Sequence, residues 1–330
     1  MRTLAGIGHD HSFHGRDHSI HQIGAEHGSY VWDNALAPAL EVESGATVEL
    51  ECADASGGQL TRQSTADDVG TMDLTRVNPV TGPVYVNGTE PGDVLAVEIL
   101  ELRPHDWGWT AIIPDFGLLA PQFPAAWLNI SSIDVQAGTV EFLPGVTLPF
   151  APFPGTIGVA PAQRGEHPTL VPTKWGGNMD IKHLRAGTTL YLPVAVEGAM
   201  FAVGDTHAAM GDAEVCGTAV EAAMDIAVRL TVHKDRRIAY PQYHVPAGQL
   251  ASTEQSSYHV CTGIGPDLTA VVKEATWGTI THIERTYGRT REEAYAIASV
   301  AADLRIHEIV DAPNWTVGSL LPEAIFTDAR

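Results

Sequence analysis

The sequence predicts a mainly β protein with a helical C-terminal element, α+β in class. Apolar and polar residues alternate after successive turn signals through residue 232, and helical periodicity begins only at residue 268. Between them, residues 104–172 are rich in Pro, Gly and aromatics, and read as long loops that wall a site or as a crossover between sheets.

Each element has a local reason. Ser44-Gly45 opens the alternating run Thr47-Val48-Glu49-Leu50-Glu51-Cys52, and Pro91-Gly92-Asp93 opens residues 94–100. Ala137-Gly138 precedes Thr139-Val140-Glu141-Phe142, and Ala186-Gly187 precedes residues 188–192. Apolar runs at 191–203 and 215–220 flank a polar stretch, and 223–232 is a further alternating strand. Residues 268–287 carry an apolar stripe at Val271, Val272, Ala275, Ile280 and Ile283. Thr290-Arg291-Glu292-Glu293 is a capping box that starts a second helix through Ala301.

The polar stretch 204–214 holds Asp205, His207, Asp212 and Glu214 within ten residues. In a strand, residues two apart share a face, so Asp205 pairs with His207 and Asp212 with Glu214. A turn at Met210-Gly211 would bring the pairs together. Carboxylate oxygens plus an imidazole suit zinc or another divalent ion. The plainer reading is a hairpin loop in which Asp satisfies backbone N–H groups. Upstream, Gly176-Gly177 allows a sharp turn before Asn178 and Asp180. A strand leaving near residue 188 and another returning to Asp205 would place Asp180 at the same sheet edge.

Composition narrows the class. The 330 residues include 40 acidic and 19 basic ones, for a net charge of −21. That excess disfavours a nucleic-acid partner and an anionic membrane surface. Cys52, Cys216 and Cys261 are widely spaced and odd in number, which predicts no disulfide framework and a cytoplasmic setting. No run of 18 apolar residues or apolar leader is present. Six histidines fall in the first 27 residues, and residues 1–35 read as a His-rich edge or disordered segment, with His27 alone retaining a claim to a site. Cys216 reads as a small hydrophobe in a buried strand rather than a nucleophile. The P-loop, Gly-x-Ser-x-Gly and His-Glu-x-x-His patterns are absent.

Seven segments in order resemble the acetamidase/formamidase family. They include Asp54 to Gln59, Ala66-Asp67-Asp68-Val69, and Val77-Asn78-Pro79-Val80-Thr81-Gly82-Pro83. Glu90 to Leu95, Gly176 to Lys182, Gly204 through Glu221, and Ala294-Tyr295 with 299–303 complete the set. One departure stands out: Ala213 occupies the position where the family usually has Gly in a Gly-Asp-Gly-Glu turn.

The resemblance implies a β-sandwich or jelly-roll-like core over 36–330, with room for two intertwined subdomains. It also implies hydrolysis of short aliphatic amides and a homo-oligomer, a dimer or a dimer of dimers. On this reading Asp205, His207 and Glu214 hold a divalent metal, zinc before calcium or magnesium. Asp180 or Asp212 moves the proton, and Asn178, Asp54 and Asp68 bind the small neutral amide. The residues leave open a metal-free amidase with paired carboxylates, and a non-catalytic calcium-dependent binding sandwich.

Overall fold

The computed structural model describes residues 20–330 except 118–119, 121–123, 144–145, 211–213, 215, 249–256, 290–293, 295–301, 324–325 and 327–330. Two large sheets share one core. The first has nine strands, running in space from His21–Ile23 at one edge through Ala46–Cys52, Met224–His233, Val94–Pro104 and Thr189–Pro193. It continues through Gln242–Val245, Tyr258–Gly265 and Trp315–Pro322 to Asp303–Glu308. The second has six strands centred on Phe153–Gly158, Phe201–His207 and Val80–Val86. Val48, Leu50, Ile226 and Val228 from the first sheet and Val84, Ile157, Phe201 and Val203 from the second lie in one buried cluster. Period-2 alternation makes this possible, because each strand turns its apolar face inward.

The strands expected from turn signals form, with Ala46–Cys52 pairing Met224–His233 so that Leu50 faces Ile226 and Val48 faces Val228. Three expectations change. Residues 191–203 are not one run: Thr189–Pro193 lies in the nine-stranded sheet and Phe201–His207 in the other, because the chain turns through Ala199 and Met200, both left-handed. Residues 104–172 are not loop throughout but carry several strands, while Ile113, Phe116 and Leu170 between them do line a cavity. Trp107–Ile112, Trp127–Asp134, Thr139–Leu143 and Val146–Pro149 make a four-stranded antiparallel sheet. Finally, residues 216–220 contain no strand, since they dock sideways on Trp107–Ile112 through Thr218 and Ala219.

His21–Ile23 forms the parallel edge of the nine-stranded sheet, and Gly28–Ser29 joins the six-stranded one. His27, in a short 3-10 turn, is exposed and reaches only Glu26 at 3.9 Å, so its claim to a site falls. The capping box at Thr290 and Glu293 lies outside the described residues; Ala294 packs with Ile280 and Ile283.

The helix Leu268–Tyr287 matches its expected limits. Asp267 caps it by accepting the Ala270 N–H at 2.8 Å, and left-handed Gly288 ends it. Val271, Ala275, Thr279 and Ile283 recur at four-residue spacing on its buried face. Helix and sheet approach closely at Gly278: a Cβ there would sit 2.7 Å from the Cys261 Cβ. In an isolated helix Gly→Ala gains about 1 kcal/mol. Here overpacking of about 1–3 kcal/mol opposes that gain. Gly278→Ala should therefore lower the urea midpoint; an unchanged or raised midpoint would show that the helix can retreat from the sheet.

Candidate functional site

The strand Phe201–His207 ends in the site. Asp205 and His207 project together as their spacing requires, and both side chains are buried. His207 Nε2 lies 3.3 Å from Asp205 Oδ1 and 3.2 Å from Glu221 Oε2. One ring N–H cannot serve both acceptors, and the Asp205 contact has hydrogen-bond geometry. On the other side of the ring, Nδ1 is 3.9 Å from Asp180 Oδ1. Phe153 meets the imidazole edge-on at 5.0 Å.

Asp180 reaches this cluster by a route other than the expected one. The strand after it, Thr189–Pro193, belongs to the other sheet. Instead Gly176–Asn178 pairs with Phe153–Gly158, which pairs with Phe201–His207; Thr156 sits opposite both Asn178 and Gly204. The Met179 and Asp180 N–H groups then donate to the Gly155 carbonyl at 3.0 and 3.2 Å. Gly155 must lack a side chain. A Cβ would lie 2.5 Å from Asp180 Oδ1, 2.8 Å from the His207 ring and 2.9 Å from Asp205 Oδ2.

Glu221 was not singled out in the sequence, yet it joins two sheets. It forms isolated bridges to both Trp109 and His207. Its N–H and carbonyl exchange hydrogen bonds with Trp109 at 2.8 and 2.9 Å, and its Oε1 accepts the Ala219 N–H at 2.7 Å. Glu214 is also buried, at the start of a turn in which its carbonyl accepts the Gly217 N–H. Asp212, Gly211 and Ala213 lie outside the described residues.

Around these groups runs a polar network. Asn78 Nδ2 donates to Asp205 Oδ2 at 2.7 Å. The Thr156 hydroxyl donates to Asn178 Oδ1 at 2.6 Å and lies 3.1 Å from Asp205 Oδ2. Asn178 Nδ2 donates to Asp311 Oδ2 at 2.5 Å, so its amide is spoken for on both sides. Asp311 comes from the loop between Asp303–Glu308 and Trp315–Pro322, and Glu308 Oε1 accepts its N–H at 2.5 Å.

Two expected substrate contacts are placed elsewhere. Asp54 Oδ1 accepts from the Ser56 N–H and the Trp109 indole N–H, at 2.9 and 3.0 Å, which makes it a clamp on Trp109. Asp68 is exposed and completes a capping box with Thr65 on the helix Ala66–Gly70. Neither lines the cavity described below. Cys216 sits half-buried in a turn near the Ala111 carbonyl rather than in a strand.

Charge is the dominant feature. Among the described residues, the cavity is lined by several carboxylates and His207 but no Lys or Arg. Burial, then neighbouring carboxylates, raises Asp180, Glu214 and Asp311 well above ordinary values. Burial likewise raises Glu221, and Glu308 to about 7. Burial opposes the charge on His207, but Glu221 and Asp205 outweigh it and hold the imidazole well above its usual range.

The donor set fits a divalent cation. Asp180, Asp205 and His207 offer ligand atoms within 4.8 Å of one another, as do His207, Glu214 and Glu221. The expected triad of Asp205, His207 and Glu214 is therefore divided between two groups that share the imidazole. Both oxygens of Asp180, His207 Nδ1 and Glu221 Oε2 are buried without a hydrogen-bond partner in the protein. Such atoms are costly unless something satisfies them. Backbone strain collects here too: Asn78, Asp180, Asp205 and Glu214 all adopt left-handed φ, from 46° to 50°. For non-glycine residues this costs about 1–3 kcal/mol each and persists where the surroundings impose it.

The chain is similar to known proteins over most of its length. A model of the Acetamidase/Formamidase family matches residues 17–167 and 162–328. An acetamidase from Mycolicibacterium smegmatis is 27% identical, covering 93% of this chain and 91% of its own. A formamidase from Methylophilus methylotrophus is 26% identical, covering 99% and 94%. The crystal structure of an acetamidase from Bacillus halodurans is 31% identical, with a TM-score of 0.83 over 92% of this chain and 98% of its own. A gamma lactamase from Delftia acidovorans is more distant, with 26% identity and a TM-score of 0.64 over 92% and 90%. With the match spanning nearly the whole chain, this protein belongs to the Acetamidase/Formamidase family and is an amidase.

Proposed function

We propose that this chain hydrolyses primary aliphatic amides of the formamide and acetamide class, using a divalent metal at His207. The observation that carries this reading is the cluster of buried carboxylates around one imidazole, with no Lys or Arg among the described residues lining the cavity. Such a cluster needs a positive partner, either bound protons or a cation. His207, Glu214 and Glu221 would hold the ion, and the nitrogen donor favours zinc over calcium or magnesium. When bound, the ion would lower the pKa of water and polarise the amide carbonyl. Asp205 is better suited to fixing the ring, because Asn78, Thr156 and His207 already engage its oxygens.

Asp180 is the acid–base group in this reading. Its oxygens accept no hydrogen bond, burial raises its pKa, and although it is not in the cavity lining its Oδ1 lies 3.9 Å from Nδ1 of His207, which is. It takes a proton from water as the C–O bond forms and gives it to the nitrogen as the C–N bond breaks. The carboxylic acid and ammonia so formed exchange the second proton, and the products are a carboxylate and ammonium. Asn178, held by Thr156 and Asp311, keeps the edge of the cavity rigid beside the amide. An acidic cavity accepts a neutral amide and repels the carboxylate product, which favours release. A cytoplasmic, homo-oligomeric enzyme is part of the same proposal; all three cysteines are free, and no helix among the described residues is long and apolar enough to cross a membrane.

Purified protein should release ammonia from at least one of formamide, acetamide and propionamide, with or without added zinc. Silence across all three and longer amides would exclude the amidase reading of this site.

Asp180→Asn should lower kcat by roughly 10²–10⁴-fold while leaving metal content intact. Loss of the metal with the activity would make Asp180 a ligand instead, and near-normal turnover would remove it from the reaction.

The raised carboxyls also set a pH dependence. A carboxyl with a raised folded pKa contributes stability fully present below its unfolded value and lost as pH rises through the folded one. For Glu308 that window runs from its ordinary value of 4.5 up through about 7, and Asp180, Glu214 and Asp311 act in the same direction. Chelated protein should therefore melt at lower temperature at pH 8 than at pH 5.5. Stoichiometric zinc should restore more at pH 8, because binding replaces protons. A melting temperature that falls with rising pH but does not respond to zinc would favour the metal-free mechanism.

A further inference from the structure

We infer that the acyl range of the site extends beyond the hydrogen and methyl of formamide and acetamide to a large apolar group, about five to seven carbons of chain or ring, which the cavity favours. The inference rests on the amidase reading and deepens it. The cavity that opens onto Asn178, His207 and Glu221 measures about 270 Å³. A single water occupies only about 30 Å³ of liquid, and formamide has few more atoms than that. Away from the polar cluster and Thr218 the walls are apolar: Met72, Leu74, Ile113, Phe116 and Leu170 line the cavity together with Trp109.

Those walls are built rather than incidental. Trp109, Met72 and Ile113 belong to an apolar cluster with Ala55 and Val69, separate from the main core. The Trp109 ring is almost fully buried, and its indole N–H is held by Asp54 Oδ1 at 3.0 Å. Its backbone exchanges two hydrogen bonds with Glu221, at 2.8 and 2.9 Å. The aromatic wall and the site carboxylate therefore move as one unit, which fixes an apolar surface beside the reacting centre. Leu74, exposed, marks the way in to solvent. An amide whose acyl group reaches only the polar cluster leaves these walls in contact with water. A longer or cyclic acyl group replaces that water, at a gain of about fourfold in binding for each buried methylene. That contact persists into the transition state, so it appears in kcat/KM.

The test is a panel of formamide, acetamide, hexanamide, benzamide and phenylacetamide, read as ammonia release. Hexanamide is four methylenes longer than acetamide, so burial of half of them should raise kcat/KM by about tenfold or more. Met72→Trp, which fills the wall from a half-buried loop position, should lower kcat/KM for hexanamide at least tenfold more than for acetamide. Values of kcat/KM that fall steadily from formamide upward, with Met72→Trp reducing all substrates alike, would overturn the assignment. Calorimetric titration of benzamide into Asp180→Asn reads the cavity without turnover. Benzamide binding with no ammonia from any amide would keep the apolar site and remove the amidase reading. Turnover of acetamide with no benzamide binding would do the reverse.

Discussion

A single imidazole surrounded by buried carboxylates is the constraint on which the rest of this site depends. His207 lies within 4 Å of Asp180, Asp205 and Glu221, each supplied by a different stretch of chain. Bringing acidic groups together in a low-dielectric interior is unfavourable, so the surroundings must hold them there. The left-handed backbone at Asp180, Asp205 and Glu214 and the need for a residue without a side chain at Gly155 go with that enforced closeness. So is the second circle of neutral groups. Asn78, Thr156 and Asn178 donate to the carboxylates or to one another and leave few oxygens unaddressed apart from those facing the imidazole.

Three sheets divide the work. The six-stranded sheet delivers Asp205 and His207 directly and Asp180 through the Gly176–Asn178 pairing. The four-stranded sheet supplies Trp109 and, through it, Glu221. The nine-stranded sheet contributes the far wall through the loop carrying Asp311, and otherwise serves as the packing partner that buries the whole assembly. Polar chemistry and apolar cavity wall thus meet at one residue pair, Glu221 and Trp109. Changes in the wall and changes in the catalytic cluster are mechanically linked there.

The sheet-rich class, most strand positions and the helix Leu268–Tyr287 were legible because they follow from local rules. Alternation buries one face of a strand, and four-residue recurrence buries one face of a helix. The pairing of Asp205 with His207 was legible for the same reason, since a strand's period of two is a property of the backbone. The Gly176-Gly177 turn pointed to Asp180 and the resemblance to the family, but the strand-out, strand-back path expected for Asp180 was wrong: successive strands here switch sheets. Asp54 and Asp68 misled because a loop Asp serves equally well as a clamp or a cap, and their neighbours in sequence do not reveal which.

The sequence by itself determined the acidic balance, the secondary-structure periods and the presence of an Asp-His pair on one face. These are sums or short-range patterns, and no other part of the chain can alter them. Tertiary structure decided everything that required distant segments to meet. Glu221 looks like the end of an apolar run until a bridge sets it between Trp109 and His207. Gly155 is one glycine among 32 until three site side chains crowd the place of its Cβ. Asp311 lies 133 residues from Asn178, whose amide it accepts. Contacts of that range depend on which sheet faces join, and residue order encodes that choice only through the packing of the whole core.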